Sequence, residues 1–381
     1  MHIAIFGCGQ LARMLALAGW PMGIRFSFIA DGEEDTRCVE GLGSVLRLHS
    51  TIAAGQLFEE LGKPDVITIE KEAVSTTLLD QLSLYCTVAP NAETLWRVQH
   101  RARQKEFLHE HKIPIAPYVQ IHEKPQLLAA AAVLGYPLII KSCEQGYDGQ
   151  QQWRIHTDAE VRGFIDSTTE ISDAVVEKML DFSMEVSVLG VRNSKGEIAL
   201  YEPSENHHRN GILSVSISPP QSLSPQQRIE LESIVAELLC RWNYVGVLAI
   251  ECFVVDGKIV VNEIAPRVHN SGHWTQNGAV CNQFENHLRA ICGQTLGSTA
   301  SLGHCAMINL LGCDAPDELI SWPHAHLHWY NKKLRPGRKM GHINLLHEDS
   351  GRLQKDLNHA LGLLAVGQRH LYGSAQEHLS Q

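Results

Sequence analysis

The stretch Val247–Thr275 reads VLAIECFVVDGKIVVNEIAPRVHNSGHWT. Two apolar runs, 247–255 and 258–264, flank Asp256-Gly257, a dipeptide that supplies the positive φ angles of a tight hairpin turn. Each run carries one carboxylate, Glu251 and Glu263. An ionised carboxylate in an apolar strand is costly unless it is paired or bound to a cation. A three-residue loop, Asp256–Lys258, puts Glu251 opposite Glu263. A two-residue loop puts it opposite Asn262, with Glu263 on the other face unless a bulge intervenes. Two facing carboxylates repel without a cation. Mg²⁺ bound to phosphate oxygens is the natural one, because it takes few protein carboxylates. Salt-bridged core glutamates are the alternative.

Immediately downstream, Arg267, His269, Asn270 and His273 crowd into one loop. A metal site, a phosphate site and a solvated loop all fit that density. Upstream, Lys141 ends the strand Leu138–Lys141, ahead of a polar, glycine-containing loop, 142–152. Lysine is a compact charge suited to phosphate, although a lysine at a strand end is commonly just solvated. Glu177 closes Val175-Val176-Glu177, where backbone and carboxylate are placed to read an adenine and ribose.

At the N-terminus, the strand His2–Phe6 runs into Gly7-x-Gly9-x-x-Ala12 and a helix, with Asp31 after the next strand. This fits the dinucleotide fingerprint loosely. The other readings are a plain tight turn and an anion at the helix N-terminus. Strands and helices alternate to about residue 95, which predicts a parallel, doubly wound sheet. Thr94–His111 reads as one charged helix and Pro225–Arg241 as another. Short strands (307–311, 324–330, 342–346) and a helix near 353–361 predict a small C-terminal domain. The fold class is therefore α/β and α+β.

Two C-terminal patterns carry possible chemistry. Arg335-Pro336-Gly337-Arg338 has the type II turn signature, which lets both guanidinium groups converge with Lys339 on a phosphate monoester; a solvated basic turn is the plainer reading. His324, His326 and His328 alternate and so share a strand face. A metal is one reading of them, but no fourth ligand is evident.

The 381 residues suffice for two to three domains. A net charge of −10 gives no support to a nucleic-acid partner. The 10 cysteines are scattered without a C-x-x-C pair, as expected of reduced thiols in a cytoplasmic protein. No apolar run approaches the ~20 residues of a membrane span, so no membrane partner is expected.

Several blocks together resemble one family. They are GCGQL (7–11), QK (104–105), GYDG (146–149), EVS (185–187), NHHRNGIL (206–213), NEIAPRVHNSGHWT (262–275) and HLHWYNKKLRPGRKMGHIN (326–344). They resemble the N5-carboxyaminoimidazole ribonucleotide synthetases of the ATP-grasp superfamily. The resemblance implies a Rossmann-like pre-ATP-grasp domain (1–95), an ATP-grasp domain (96–297, with a lid at about 115–180) and a small C-terminal domain (298–381). It implies a cytoplasmic homodimer that uses ATP, Mg²⁺ and bicarbonate to carboxylate aminoimidazole ribonucleotide in purine biosynthesis. Matching positions put Arg101, Lys141, Gly146, Tyr147, Asp148, Gly149, Glu177, Lys178, Leu180, Glu185, His208, Asn262 and Glu263 around ATP. Glu251 and Glu263 would hold Mg²⁺. Glu72, Tyr147, Asp148, Arg267, Ser271, Arg335, Arg338 and Lys339 would hold the ribonucleotide. Arg267, His269, Asn270, Lys141 and His273 would serve the reacting centre.

The chemistry suits these residue types. Phosphoryl transfer needs positioning and charge neutralisation. An arginine can grip bicarbonate's planar oxygens, and a histidine, titrating near neutrality, can take the amine proton. The sequence does not choose between His269 and His273. The loop Gln145–Gln152 departs from the family's G-G-Y-D-G-[KR]-G-Q, lacking two glycines and a basic residue. Near Glu72 the segment is TIEKEAV, without the family's aromatic residue. The rival readings are another ATP-grasp ligase of purine metabolism and a nucleotide-binding protein with weakened catalysis.

Overall fold

The computed structural model describes residues 1–48, 52–144, 151–167, 171 and 173–372, with side chains described as far as residue 365. Five parallel strands open the chain: β1 (His2–Phe6), β2 (Arg25–Asp31), β3 (Ser44–Leu48), β4 (Val66–Ile69) and β5 (Thr87–Val88), ordered β3-β2-β1-β4-β5. Helices such as Gln10–Gly19 cover this sheet, and Ile3, Ile5, Phe28, Ile29 and Ile67 are fully buried. Burial on both faces is why these strands read as unbroken apolar runs.

The glycine turn after β1 is filled by a carboxylate of the chain itself. Glu70, one residue beyond β4, places its carboxylate on the start of helix Gln10–Gly19. Gly9 N–H donates to its Oε1 (2.6 Å) and Ala12 N–H to its Oε2 (3.1 Å). Gly7, at φ +111°, has room for no side chain, since a Cβ there would lie 2.4 Å from Glu70 Cγ. The anion that this helix end attracts is the protein's own.

The charged segment expected as one helix is two, Ala92–Val98 and Arg101–Glu110. His100 breaks it by taking an extended conformation (φ −125°, ψ 113°) and capping the second helix through Arg103 N–H. Gln99 turns its amide onto the carbonyls of Glu72 and Val74. Tertiary hydrogen bonds outweigh the helical propensity of this stretch.

A second, antiparallel sheet follows: β6 (Tyr118–Ile121), β7 (Leu138–Ser142), β8 (Gln152–Ile155) and β9 (Ala174–Lys178), ordered β6-β9-β7-β8. The rest of the chain builds one nine-stranded antiparallel sheet. Its strands are β10 (Met184–Arg192), β11 (Ile198–Leu200), β12 (Ser204–Arg209), β13 (Ile212–Ser218), β14 (Gly246–Val255), β15 (Lys258–Ala265), β16 (His304–Leu311), β17 (Ala325–Trp329) and β18 (Lys339–His347). The order is β15-β14-β10-β12-β13-β16-β18-β17, with β11 beside β10. The C-terminal strands thus extend the central sheet rather than forming one of their own.

Helix Pro225–Arg241, closed at its start by a Ser224–Gln227 capping box, packs Leu231, Val235 and Leu238 on one face of β10 and β14. The opposite face is polar at Glu185, Ser187 and Glu251, and apolar beyond them, where Leu189, Val191, Val247 and Ala249 bury against Phe284 and Leu288. Buried His287 ties the first sheet to this one. Val247 N–H donates to its Nδ1 (3.1 Å), so its Nε2 donates to Thr68 Oγ1 (2.9 Å). Burial pushes its pKa down to about 4, so it holds this bridge as a neutral ring.

Candidate active site

The site grows from the β14–β15 hairpin. Asp256 (φ 49°) and Gly257 (φ 77°) form a two-residue turn that pairs Val255 with Lys258. That register runs to Cys252–Val261 and then shifts, and beyond the shift Glu251 faces Glu263. The extra residue, Asn262, forms a bulge, a device common beside active sites because it re-aims side chains. Burial first, and the Glu263 carboxylate second, push Glu251 up to about 7. A facing pair of hard carboxylate oxygens at this electrostatic cost fits a Mg²⁺-type cation.

Ser187 pairs with Glu251 across β10 and β14, so Glu185, two residues earlier, shares the face of the carboxylates. Glu185 Oε2 meets His208 Nδ1 at 2.5 Å. Burial alone would lower His208; hydrogen bonding to Glu185 and the charge of Glu251 outweigh it and raise the pKa. Beneath, Ser187, Ser204, Asn206 and Ser216 form a buried hydrogen-bonded ladder, with links of 2.8–3.0 Å.

Across the cleft, Lys141 Nζ donates to Glu177 Oε2 (3.2 Å) and to Asn262 Oδ1 (3.1 Å). The bulge therefore couples the hairpin to the second sheet. Lys105 lies 3.2 Å from the other oxygen of Glu177. Burial opposes ionisation of Glu177, but Lys141 and Lys105 hold its pKa below the usual carboxylate range. Its carboxylate is occupied by these lysines rather than turned to a ribose. Lys178 donates to the carbonyls of Leu134 and Tyr136. Arg101 donates to the Ser142 carbonyl (2.6 Å).

On the far wall, Arg267 reaches Glu72 Oε1 at 3.0 Å. Arg267 Nε is buried without a hydrogen-bond partner, which suits a planar oxyanion there. Burial raises the Glu72 pKa even against the Arg267 charge. His269 sits between Glu251 Oε1 (3.7 Å from its Nδ1) and Ser271 Oγ (2.9 Å). Burial, then Arg267 and Lys339, hold it well below its ordinary pKa and hence neutral. Asn270 exchanges hydrogen bonds with Asn309 (2.8 and 3.2 Å).

Together these walls enclose a cavity of about 1750 Å³, lined by residues as far apart as Gln10, Glu72, Lys141, Leu180, Glu263 and Lys339. Typical small-molecule sites measure ~300–1000 Å³, so this one has room for two nucleotide-sized ligands.

Four expected site residues are not among the described residues that line it. Ser271 is fully buried and its hydroxyl serves His269. His273 is fully buried, its ring tilted against that of His342 with 4.8 Å between centroids. Arg335 is exposed, and Arg338 turns to Asp35 (3.2 Å). The Arg335–Arg338 turn exists, with Gly337 at φ 70° and Arg338 N–H donating to Arg335 O, but only the neighbouring Lys339 faces the cavity. Gly146, Tyr147, Asp148 and Gly149 lie outside the described residues.

Three family models match the chain in order. They are a ribonucleotide synthetase preATP-grasp domain (residues 1–99), an ATP-grasp domain (106–284) and a phosphoribosylaminoimidazole carboxylase C-terminal domain (305–356). A Vibrio cholerae protein named N5-carboxyaminoimidazole ribonucleotide synthase is 40% identical over 364 residues, 94% of each chain. The chain belongs to the N5-carboxyaminoimidazole ribonucleotide synthase family.

Solved synthetase structures carry the same fold. That from Thermus thermophilus has a TM-score of 0.86 at 36% identity, covering 93% of this chain and 96% of its own. An Aspergillus clavatus synthase, solved with ADP and 5-aminoimidazole ribonucleotide, has a TM-score of 0.85 at 25% identity, covering 96% of this chain and 98% of its own.

Within this synthetase fold, two residues that the sequence reading passed over shape the site. Lys105 is buried in a helix otherwise rich in exposed charge; only its place beside Gln104 in a family block marked it. Gln283 is fully buried and grips the His269 peptide. His269 N–H donates to its Oε1 and its Nε2 donates to His269 O, both at 2.8 Å. Nothing in the local sequence around Gln283 signals that contact.

Proposed function

We propose that this chain carries out the ATP-dependent carboxylation of 5-aminoimidazole ribonucleotide with bicarbonate, yielding N5-carboxyaminoimidazole ribonucleotide, ADP and phosphate. The observation that carries the reading is the opposition of Glu251 and Glu263 beside Lys141, in a cavity whose far wall presents Arg267 and Glu72. Family membership supplies the substrate class.

Glu251 and Glu263 would hold Mg²⁺, with Asn262 beside them. When bound, the cation neutralises phosphate oxygens as charge shifts during transfer. Lys141 orients the same phosphates, its own position fixed by Glu177 and Asn262. Glu185 with His208, and the segment from Lys178 to Leu180, complete the ATP lobe. Arg267 binds bicarbonate, whose oxygen attacks the γ-phosphorus while ADP leaves, giving carboxyphosphate. The ribonucleotide amine then forms a bond to the carboxyl carbon and phosphate departs. His269, neutral through burial, accepts the amine proton. Asn270, Glu72 and Lys339 face the ribonucleotide lobe.

We extend the proposal to a homodimer in the cytoplasm; all ten cysteines are free, which suits a reducing compartment. No helix among the described residues is long and apolar enough to cross a membrane.

The test is ADP release by the purified protein with ATP, Mg²⁺ and bicarbonate. Strong stimulation by aminoimidazole ribonucleotide, and none by glycinamide ribonucleotide, is expected. The reverse preference would indicate another ATP-grasp ligase. Tight ATP binding without stimulated release would indicate a nucleotide-binding protein.

A further inference from the structure

A second cluster of donor atoms lies in the C-terminal region, on residues that do not line the cavity. His324 precedes β17, His347 ends β18, and Asp356 lies on helix Ser350–Tyr372. Leu346 N–H donates to His324 O, which fixes the His324 backbone against β18. Glu348 and Asp349 alone join β18 to the helix, which folds back so that Leu353, Leu357 and Ala360 bury against the sheet. This return brings Asp356 over the two histidines.

The side chains meet at one point. His324 Nε2 is 3.0 Å and His347 Nε2 2.9 Å from the same oxygen, Asp356 Oδ2. The ring centroids are 4.2 Å apart at 50°. Both Nε2 atoms are shielded from solvent, yet neither has a hydrogen-bond partner. The atoms are close enough to bond but miss hydrogen-bond geometry, and one ligand atom from each of the three residues lies within 4.8 Å of the others. Three ligands at ~2.1 Å from a metal ion stand roughly 3.0–3.4 Å apart. Trp322 closes one side, its ring 5.6 Å from that of His324.

We propose that His324, His347 and Asp356 bind one divalent transition-metal ion of the zinc class, clipping the last helix to the edge of the large sheet. Two imidazoles and one carboxylate select zinc, cobalt or nickel over magnesium, which prefers all-oxygen sites. Water completes the coordination. The ion's role is structural, because the site lies apart from the cavity. The alternating histidines of β17 do not build it together. His328 instead stacks on His342 at 4.6 Å and bonds Asn277; the partners of His324 come from β18 and the helix.

The test uses the full-length protein, freed of metal by chelation. Co²⁺ is titrated with absorbance as readout, Zn²⁺ with melting temperature, and Mg²⁺ serves as the control. One equivalent of Co²⁺ should give a visible d–d band without a thiolate charge-transfer band. Zn²⁺ should raise the melting temperature where Mg²⁺ alone does not. His347→Ala and the near-isosteric Asp356→Asn should each weaken binding at least about tenfold while keeping the native circular dichroism. If His347→Ala misfolds, Asp356→Asn decides. Unchanged affinity in Asp356→Asn would overturn the proposal. So would a thiolate band, which would put the ion on Cys143 beside His100 and Asp173, the other described histidine–carboxylate cluster.

Discussion

Gln283 holds His269 by both polar groups of its backbone, accepting from the amide and donating to the carbonyl at 2.8 Å each. His269 has an extended backbone there (φ −131°, ψ 153°), and the clamp fixes how its ring projects into the cavity. Gln283→Ala leaves two buried backbone groups unpaired, at ~1–3 kcal/mol each. It should lower kcat about tenfold or more and leave the KM for ATP within about twofold. Steady-state kinetics at saturating ribonucleotide check this. A raised KM with unchanged kcat would deny Gln283 a positioning role.

Glu263→Gln keeps the hairpin's shape and removes one of two facing charges. Mg²⁺-dependent ATP turnover should fall at least about 100-fold, with unchanged circular dichroism. Near-wild-type turnover in the folded variant would remove Glu263 from the cation site.

Metal-free protein should lose stability as pH rises from about 4.5 toward 7. Glu251 is pushed up to about 7 in the folded state, above the unfolded value of ~4.3. The native state therefore holds the proton in a range where the unfolded state has released it, and stability falls with pH across that window. Glu251→Gln should flatten this slope, and Mg²⁺ with ATP should reduce it. Melting temperatures across the range are the measurement; an identical slope in wild type and variant would mean that other groups set it.

Lys339 and Arg338 should separate cleanly. Lys339→Ala should weaken ribonucleotide binding about tenfold or more through loss of a charge-assisted bond. Arg338 is spent on Asp35, a half-exposed pair worth ~0–1 kcal/mol, so Arg338→Ala should change stability and ligand binding little. Titration of both variants with the ribonucleotide tests the contrast, and the opposite ranking would reassign the phosphate site to the Arg335–Arg338 turn.

Elements with their own period or punctuation were legible. The apolar runs of the N-terminal sheet, the helix Pro225–Arg241 and the Asp256-Gly257 turn each obey a local rule. The face of Glu263 was not legible, because it depends on a bulge that no residue type at 262 dictates. Nor was the fate of the glycine turn, whose anion, Glu70, comes from a strand end 61 residues later. His269 and His273 looked equivalent in sequence. They differ because a short 3-10 turn, Asn270–Gly272, carries one to the cavity and buries the other among the rings of Phe284, Tyr330 and His342. The first two cases rest on hydrogen bonds between residues distant in sequence, which a single sequence does not display.

β15 is the outermost strand of the nine-stranded sheet. A regular edge strand offers a row of unpaired peptide groups to any other chain. The bulge at Asn262 interrupts that row, and next to it Val261 N–H is taken by the Pro114 carbonyl at 2.8 Å. A chain lacking Asn262 would still oppose its two carboxylates, because the two-residue turn alone would slide Glu263 into register with Glu251. It would lose the partner of Lys141 and gain a flat edge. One inserted residue thus does two things at once, tethering the cavity lysine Lys141 and interrupting the row of peptide groups to which another chain could pair.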